Sequence, residues 1–449
     1  MGLPAGIVSP GEPPDGVGRA GRSSAFLLEP PQVVHRERIA PDALAAMRPA
    51  WDQVYFPPRN YCLSVVEDVF VAAEGLVLRR DGTVIEESVT QHSTDEVAWA
   101  RAAVSDVARQ AAWPQLHGTL VLCRKRGVQA YGHWLIEALP MAFVARQWPG
   151  PLRFFVQALV GPIAAVIGQS LAQLGVDGDR IVAAGNDPVW VERLVMVHGL
   201  TDHGVYMSPV AVQCVNAMTA SIEPVGAEAI FIVRAGSIGR GLMEEARIVA
   251  DARRAGFAII DPATMSFDVQ VATFKRARHI VGVMGSALAN LAFCRPDTRV
   301  VVLAPDTMPD TFFWFLAGHR GLDITEVRCR TVAVTDGAQM QNMLVLDPAD
   351  QEMALGRHGR SAPVTAWFDP VFYAAIYPDV ARSGDDLLQH YMDIGWREGR
   401  LPSRHFDGAR YLAVYADVAA NGINPRLHFL LHGRAEGRAA FALPMPNPS

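Results

Sequence analysis

The stretch Arg278-His-Ile-Val-Gly-Val-Met-Gly-Ser-Ala-Leu-Ala-Asn-Leu-Ala-Phe293 decides how this chain folds. Residues 279–284 form a short apolar run and read as a buried strand. Gly285 interrupts the run, and Ser286 opens a segment with helical spacing of apolar residues. A strand that turns straight into a helix presents unpaired N–H groups and the positive end of the helix dipole to the space beyond it. An anionic ligand is therefore expected at Gly285-Ser286.

The flanking sequence repeats the same alternation. Strands are expected over residues 229–233, 257–261, 299–304 and 324–329, with helices over 242–255, 266–278 and 311–319 between them. Repeated strand-helix-strand crossovers imply a parallel, Rossmann-like sheet. Residues 234–241 form a loop carrying three glycines together with Arg234 and Arg240. Glu244 and Glu245 open the helix after it, where the dipole favours acids.

Upstream the pattern is mixed. Residues 60–84 read as short strands with an Asp81-Gly82 hairpin turn, followed by a helix over 95–112 and a strand over 118–122. Tyr131-Gly-His-Trp-Leu-Ile-Glu-Ala-Leu-Pro140 comes next; His133 and Glu137 are four apart and share one face of a helix. That spacing suits a surface His/Glu pair first, and a base with its orienting partner second. Residues 153–199 again alternate strand and helix. Asp177-Gly-Asp179 in a turn, and His198, Asp202 and His203 after a strand, read as polar loop residues, with Asp202 an outside candidate for a base.

Residues 1–31, rich in Gly, Pro and Ser, read as a flexible tail, and residues 347–366 as a linker. Beyond the linker lies a duplication with a 38-residue register. Phe368-Asp369, Tyr373, Tyr377, His390, Gly395 and Glu398-Gly-Arg400 recur as Phe406-Asp407, Tyr411, Tyr415, His428, Gly433 and Glu436-Gly-Arg438. Residues 367–440 are thus expected to form a small α-helical tandem module that docks a partner.

At 449 residues, half of them apolar, the chain can bury more than one core. Its formal net charge of −6 gives no global basic footprint for nucleic acid. Five scattered cysteines without a C-x-x-C pair indicate neither a disulfide framework nor a zinc site. No apolar run is long enough to span a bilayer and no signal pattern opens the chain, so a cytoplasmic place is expected, with peripheral association at an inner membrane left open. Lysine occurs only at 125 and 275 against abundant arginine, which reads as coding bias.

Several of these residues, in this order, resemble glycosyltransferase family 61: His133-Trp-Leu135 with Glu137 and Leu139-Pro140; Arg234; Arg240 with Leu242 and Glu245; Phe267 with Gln270; and Gly282 with Gly285, Ser286, Leu288, Asn290 and Phe293. The resemblance implies a GT-B-like α/β fold, two Rossmann-like domains facing a cleft, here residues 32–222 on the acceptor side and 223–346 on the nucleotide-sugar side. It also implies inverting, metal-independent sugar transfer with no cofactor beyond the nucleotide-sugar substrate. The implied role is bacterial surface or capsular polysaccharide synthesis on a glycan or lipid-linked glycan acceptor. On this reading His133 and Glu137 are catalytic. Arg234, Arg240, Glu245, Gln270, Gly285, Ser286 and Asn290 bind the donor. The chain departs from the family's usual pattern at Met284, commonly His, and at Val302, commonly Glu; His279 and Asp306 are the candidates to compensate.

Two other readings compete. One is a non-catalytic nucleotide-sugar or glycan-binding protein with a C-terminal interaction module, motivated by Met284 and the appended repeat. The other is a dinucleotide oxidoreductase, which ranks lower because Gly282-Val-Met-Gly285 is not G-x-G-x-x-G.

Overall fold

The computed structural model describes residues 7–8, 20–110, 112–233, 240–336, 339–356 and 368–443. They form a mixed α/β structure built on two large sheets. The first contains β1 (Asn60–Ala72), β2 (Leu76–Arg79), β3 (Val84–Ile85), β4 (Gln115–Cys123), β5 (Arg153–Gln157), β6 (Ile181–Ala184) and β7 (Val189–His198). Its order is Ile7–Val8, β3, β2, β1, β7, β4, β5, β6, with Ala20–Arg22 added to β1. β4, β5, β6 and β7 run parallel, whereas β1 is antiparallel to β7.

The second sheet holds β8 (Ala229–Ile232), β9 (Ala258–Ile260), β10 (His279–Val283), β11 (Arg299–Pro305), β12 (Asp323–Asp336) and β13 (Gln339–Val345). Its order is Arg240–Leu242, β13, β12, β11, β10, β8, β9. Strands β8 to β12 are parallel, as the alternation of apolar strands and helices requires. One apolar cluster runs through both halves, joining Trp134, Val156 and Val195 to Phe267, Ile280, Leu288 and Val302. Each such fully buried side chain contributes roughly 1.5–3 kcal/mol of transfer free energy, so the halves are packed together and not merely tethered.

Several segments differ from their sequence reading. Gln32–Val34 adds to β12 of the second sheet, and Ala40 donates to the Asp306 carbonyl, so the chain visits the second sheet before it builds most of the first. Ala20–Arg22 and Phe26–Leu27 are strands within the expected tail; its residues 1–6 and 9–19 lie outside the described residues. The expected linker begins with a helix, Pro348–Leu355, docked by Gln351 on Arg247 and Asp251. The helix expected from 242 starts at Glu245, because Arg240–Leu242 pairs with β13 and Glu244 takes a left-handed φ of 57°. The turn after β10 continues as a 3-10 helix, Ser286–Phe293, buried from Leu288 onward.

The C-terminal residues fold into two successive sets of short helices. In the first, the Tyr373 hydroxyl meets His390 Nδ1 at 3.1 Å, and in the second Tyr411 meets His428 Nδ1 at 3.0 Å. Gly395 and Gly433 lie against those two hydroxyls, where any Cβ would collide. This close approach explains why glycine occupies both positions.

Candidate active site

In the first sheet, β4 is the point where the winding reverses: β5 and β6 follow on one side, and β7 returns to the other. In the second sheet β8 plays the same part, with β9 on one side and β10 on the other. Open α/β sheets bind ligands beyond the carboxyl ends of the strands at such a reversal, because the connecting segments part there and leave a crevice. The candidate site is built from segments that leave these two reversals.

Lys125 is the second residue after β4. The next helix runs Tyr131–His133, a π-helical turn Trp134–Ala138, then Leu139–Ala145. Trp134 anchors the turn by donating from Nε1 to Ser170 Oγ at 2.9 Å. π-turns are costly and recur at functional sites. His133 donates from Nδ1 to Glu137 Oε1 at 2.8 Å. From the loop after β7, His203 Nδ1 reaches the same oxygen at 3.3 Å, and its ring stacks on that of His133 at 5.1 Å. The Lys125 ammonium binds the other oxygen, Oε2, and Thr201 Oγ1 lies 3.5 Å from it.

Glu137 and Lys125 are 2% and 3% exposed. Burial alone would raise the Glu137 pKa, but hydrogen bonds from His133 and His203 and the charge of Lys125 together hold it well below the usual carboxylate range. A carboxylate so fixed does not accept a proton in turnover; it orients its donors. With Nδ1–H spent on Glu137, the Nε2 of His133 is the acceptor nitrogen of a neutral imidazole, which suits a general base.

Across from this cluster lies the turn after β10. His133, His203, Gly285, Ser286, Asp310 and Phe312 line a cavity of about 230 Å³. A second cavity, of about 570 Å³, is lined by Tyr131, Phe267, Gln270, Ser286 and others. Ser286 borders both. Gln270 therefore faces a cavity, while its amide donates to Met265 O at 3.2 Å and accepts from Asn290 Nδ2 at 2.9 Å. Asn290 is wholly buried and accepts from the Tyr131 hydroxyl at 2.7 Å. It reaches ligand only through Gln270 and Tyr131.

The remaining expected residues fare differently. Arg234 lies outside the described residues, and Arg240 is placed only as the first residue of a strand. Glu245 opens the helix Glu245–Arg254 and lines neither cavity. Met284 is packed in the shared core. Val302 is buried next to Glu326 in the β11–β12 register; burial and Asp310 push the Glu326 carboxyl up to about 7, against the pull of Arg328. His279 starts β10 at the end remote from Gly285, its ring 4.8 Å from that of Phe257. Asp306 accepts from the backbone and hydroxyl of Thr331. Neither lines the cavities, so neither compensates for Met284 or Val302 there.

Lys125 and His203 were not legible as site residues. Being one of two lysines in an arginine-rich chain was the single signal for Lys125. For His203 nothing beyond its loop position was available.

Among the described residues, His133, Glu137 and His203 bring three ligand atoms within 4.8 Å of one another, as do His35, Asp347 and Asp350. In the first group Lys125 already neutralises the carboxylate, and a cation would face that ammonium. In the second, Arg38 and Arg330 hold Asp347. No helix among the described residues is long and apolar enough to cross a membrane.

Residues 131–301 match the family model described as Glycosyltransferase 61. The chain is a glycosyltransferase by virtue of this domain, which contains His133, Glu137, His203 and the Gly285-Ser286 turn and begins just after Lys125. No curated protein matches the chain.

Proposed function

We propose that this chain is an inverting, metal-independent glycosyltransferase of the GT-B type. It moves a sugar from a nucleotide sugar to a hydroxyl of a growing glycan in bacterial surface polysaccharide synthesis. The observation that carries the reading is the His133–Glu137–Lys125–His203 cluster facing the Gly285-Ser286 turn across one cavity.

His133 Nε2 takes the proton of the acceptor hydroxyl as that oxygen attacks the anomeric carbon. The bond from that carbon to the diphosphate breaks on the opposite face, which inverts the configuration. Glu137, staying ionised, stabilises the imidazolium. The departing diphosphate takes the N–H groups at the start of the Ser286 helix and the guanidinium groups of Arg234 and Arg240. Residues 32–222 and 223–346 act as acceptor and donor domains, and the tandem module at 367–440 docks an acceptor or a protein at the inner face of the membrane.

Met284 and Val302, both apolar and buried, favour one other reading: a nucleotide-sugar-binding protein without turnover. Nucleoside diphosphate release and calorimetric binding of nucleotide sugars decide between them. Release that stops in His133→Ala while binding persists supports transfer. Binding without release against a broad acceptor panel supports the second reading, and full release by His133→Ala removes His133 as the base.

A further inference from the structure

His203 reaches Glu137 from the tip of a short hairpin, in which Thr201–Asp202 pairs with Tyr206–Met207 and the Val205 N–H closes the turn on the Asp202 carbonyl at 2.9 Å. The turn uses a left-handed Gly204, with a φ of 76°. An isolated two-stranded hairpin is marginal in water at best. The His203 side chain is also 42% exposed, so packing alone does not fix it. Yet the site needs this ring in place. Its Nδ1 shares Glu137 Oε1 with His133, and its stack on His133 stops the neighbouring imidazole from turning.

The hold comes from the other half of the chain. Thr311 is 2% exposed and donates from Oγ1 to the Gly204 carbonyl at 2.7 Å, one residue beyond His203. Thr311 immediately precedes the helix Phe312–Arg320, and His319 in the last turn of that helix donates from Nε2 to the Met207 carbonyl at 2.8 Å. One helix thus grips the hairpin at both its tip and its base. Asp310 and Phe312, on either side of Thr311, line the cavity that also holds His133, His203 and the Gly285-Ser286 turn. The Thr311 hydroxyl therefore ties the imidazole cluster to the wall across the same cavity.

We propose that Thr311 is a positioning residue for the transfer: by holding the Gly204 carbonyl it keeps His203 on Glu137, and so fixes the His133 ring with Nε2 aimed at the acceptor. The half that carries the Ser286 turn thereby aligns the base contributed by the other half. The inference rests on the reading of His133 as the base oriented by Glu137.

The test measures nucleoside diphosphate release from UDP-glucose, UDP-N-acetylglucosamine and GDP-mannose by the full chain, with simple sugars as acceptors, beside calorimetric binding of UDP and GDP and urea unfolding. Thr311→Val keeps the side-chain shape without the hydroxyl and is expected to lower kcat about tenfold with the nucleotide Kd unchanged, whereas Thr311→Ser stays within about twofold of the wild type. His203→Ala is expected to lower kcat by a similar factor. Adding Thr311→Val to it should cost nothing further, because the hydroxyl acts through a ring that is then absent. A purely structural role would multiply the two losses. Unchanged kcat in Thr311→Val, an equal loss in Thr311→Ser, multiplied losses in the double variant, or a Thr311→Val chain that no longer folds or binds nucleotide overturns the inference and leaves the transferase reading standing. A wild type that releases nothing, or a His133→Ala chain that releases at the full rate, removes the underlying reading and the inference with it.

Discussion

Replacing Lys125 with methionine tests the electrostatic logic of the site. Both members of the Lys125–Glu137 pair are buried. Deleting one partner of a buried pair typically costs about 3–5 kcal/mol, because the other charge is left in a medium of low polarity. Here two imidazole N–H groups stay on Oε1, which keeps the expected loss near the lower end, about 3 kcal/mol. Without the ammonium, Glu137 loses the partner that fixes Oε2, and its hold on the His133 ring is loosened, so kcat/KM is expected to fall about tenfold or more. Lys125→Arg retains the charge and is expected to recover part of the rate. Initial rates of nucleoside diphosphate release, paired with urea unfolding, read both effects. A large stability loss with an unchanged kcat/KM would refute the coupling between Lys125, Glu137 and the base.

The other expectations concern distinct parts of the molecule. Tyr131→Phe removes the donor to Asn290 and is expected to cost about 1–2 kcal/mol in urea unfolding, since the Asn290 carbonyl is left without that partner inside the protein. Burial holds His319 and His92 at about 4, so both stay neutral in the fold. The unfolded chain takes up protons near 6.5, hence stability is full above about 6.5 and falls as pH drops towards 4. His319→Gln should flatten part of that fall in urea midpoints taken at neutral and mildly acid pH. Sugar transfer should persist in EDTA, with loss of rate on chelation and recovery on adding a divalent cation counting against the role given to Lys125.

The second sheet was legible because its strands are continuous apolar runs separated by helices of ordinary length; residues 279–284 and 299–304 match β10 and β11 to within a residue. The hairpin from β12 into β13 was not, since nothing in its composition distinguishes a long antiparallel pair from a loop. Pairing of Gln32–Val34 with β12 is a contact between distant positions, and a local pattern carries no trace of it. At the site, the i,i+4 spacing showed His133 and Glu137 as a pair, and the family resemblance gave the pair its place in the site. Lys125 and His203 reach the same carboxylate from other elements, so their role exists only once the sheets are assembled. The family resemblance implies a donor contact at Asn290, yet the helix turns its side chain inward.

The pairing of Gln32–Val34 with Thr325–Val327 also bears on how the chain is made. Emerging first from the ribosome, this short segment waits through about 290 further residues for its partner strand. Non-local closure of that kind is slow, and unpaired strand edges are vulnerable to association while they wait. The second sheet therefore receives its last strand from the first part of the polypeptide, a clasp that closes after synthesis of both halves. A chain expressed from residue 58 onward should emerge with the β12 edge open and aggregate, and a peptide covering residues 30–57 supplied during refolding should recover soluble protein.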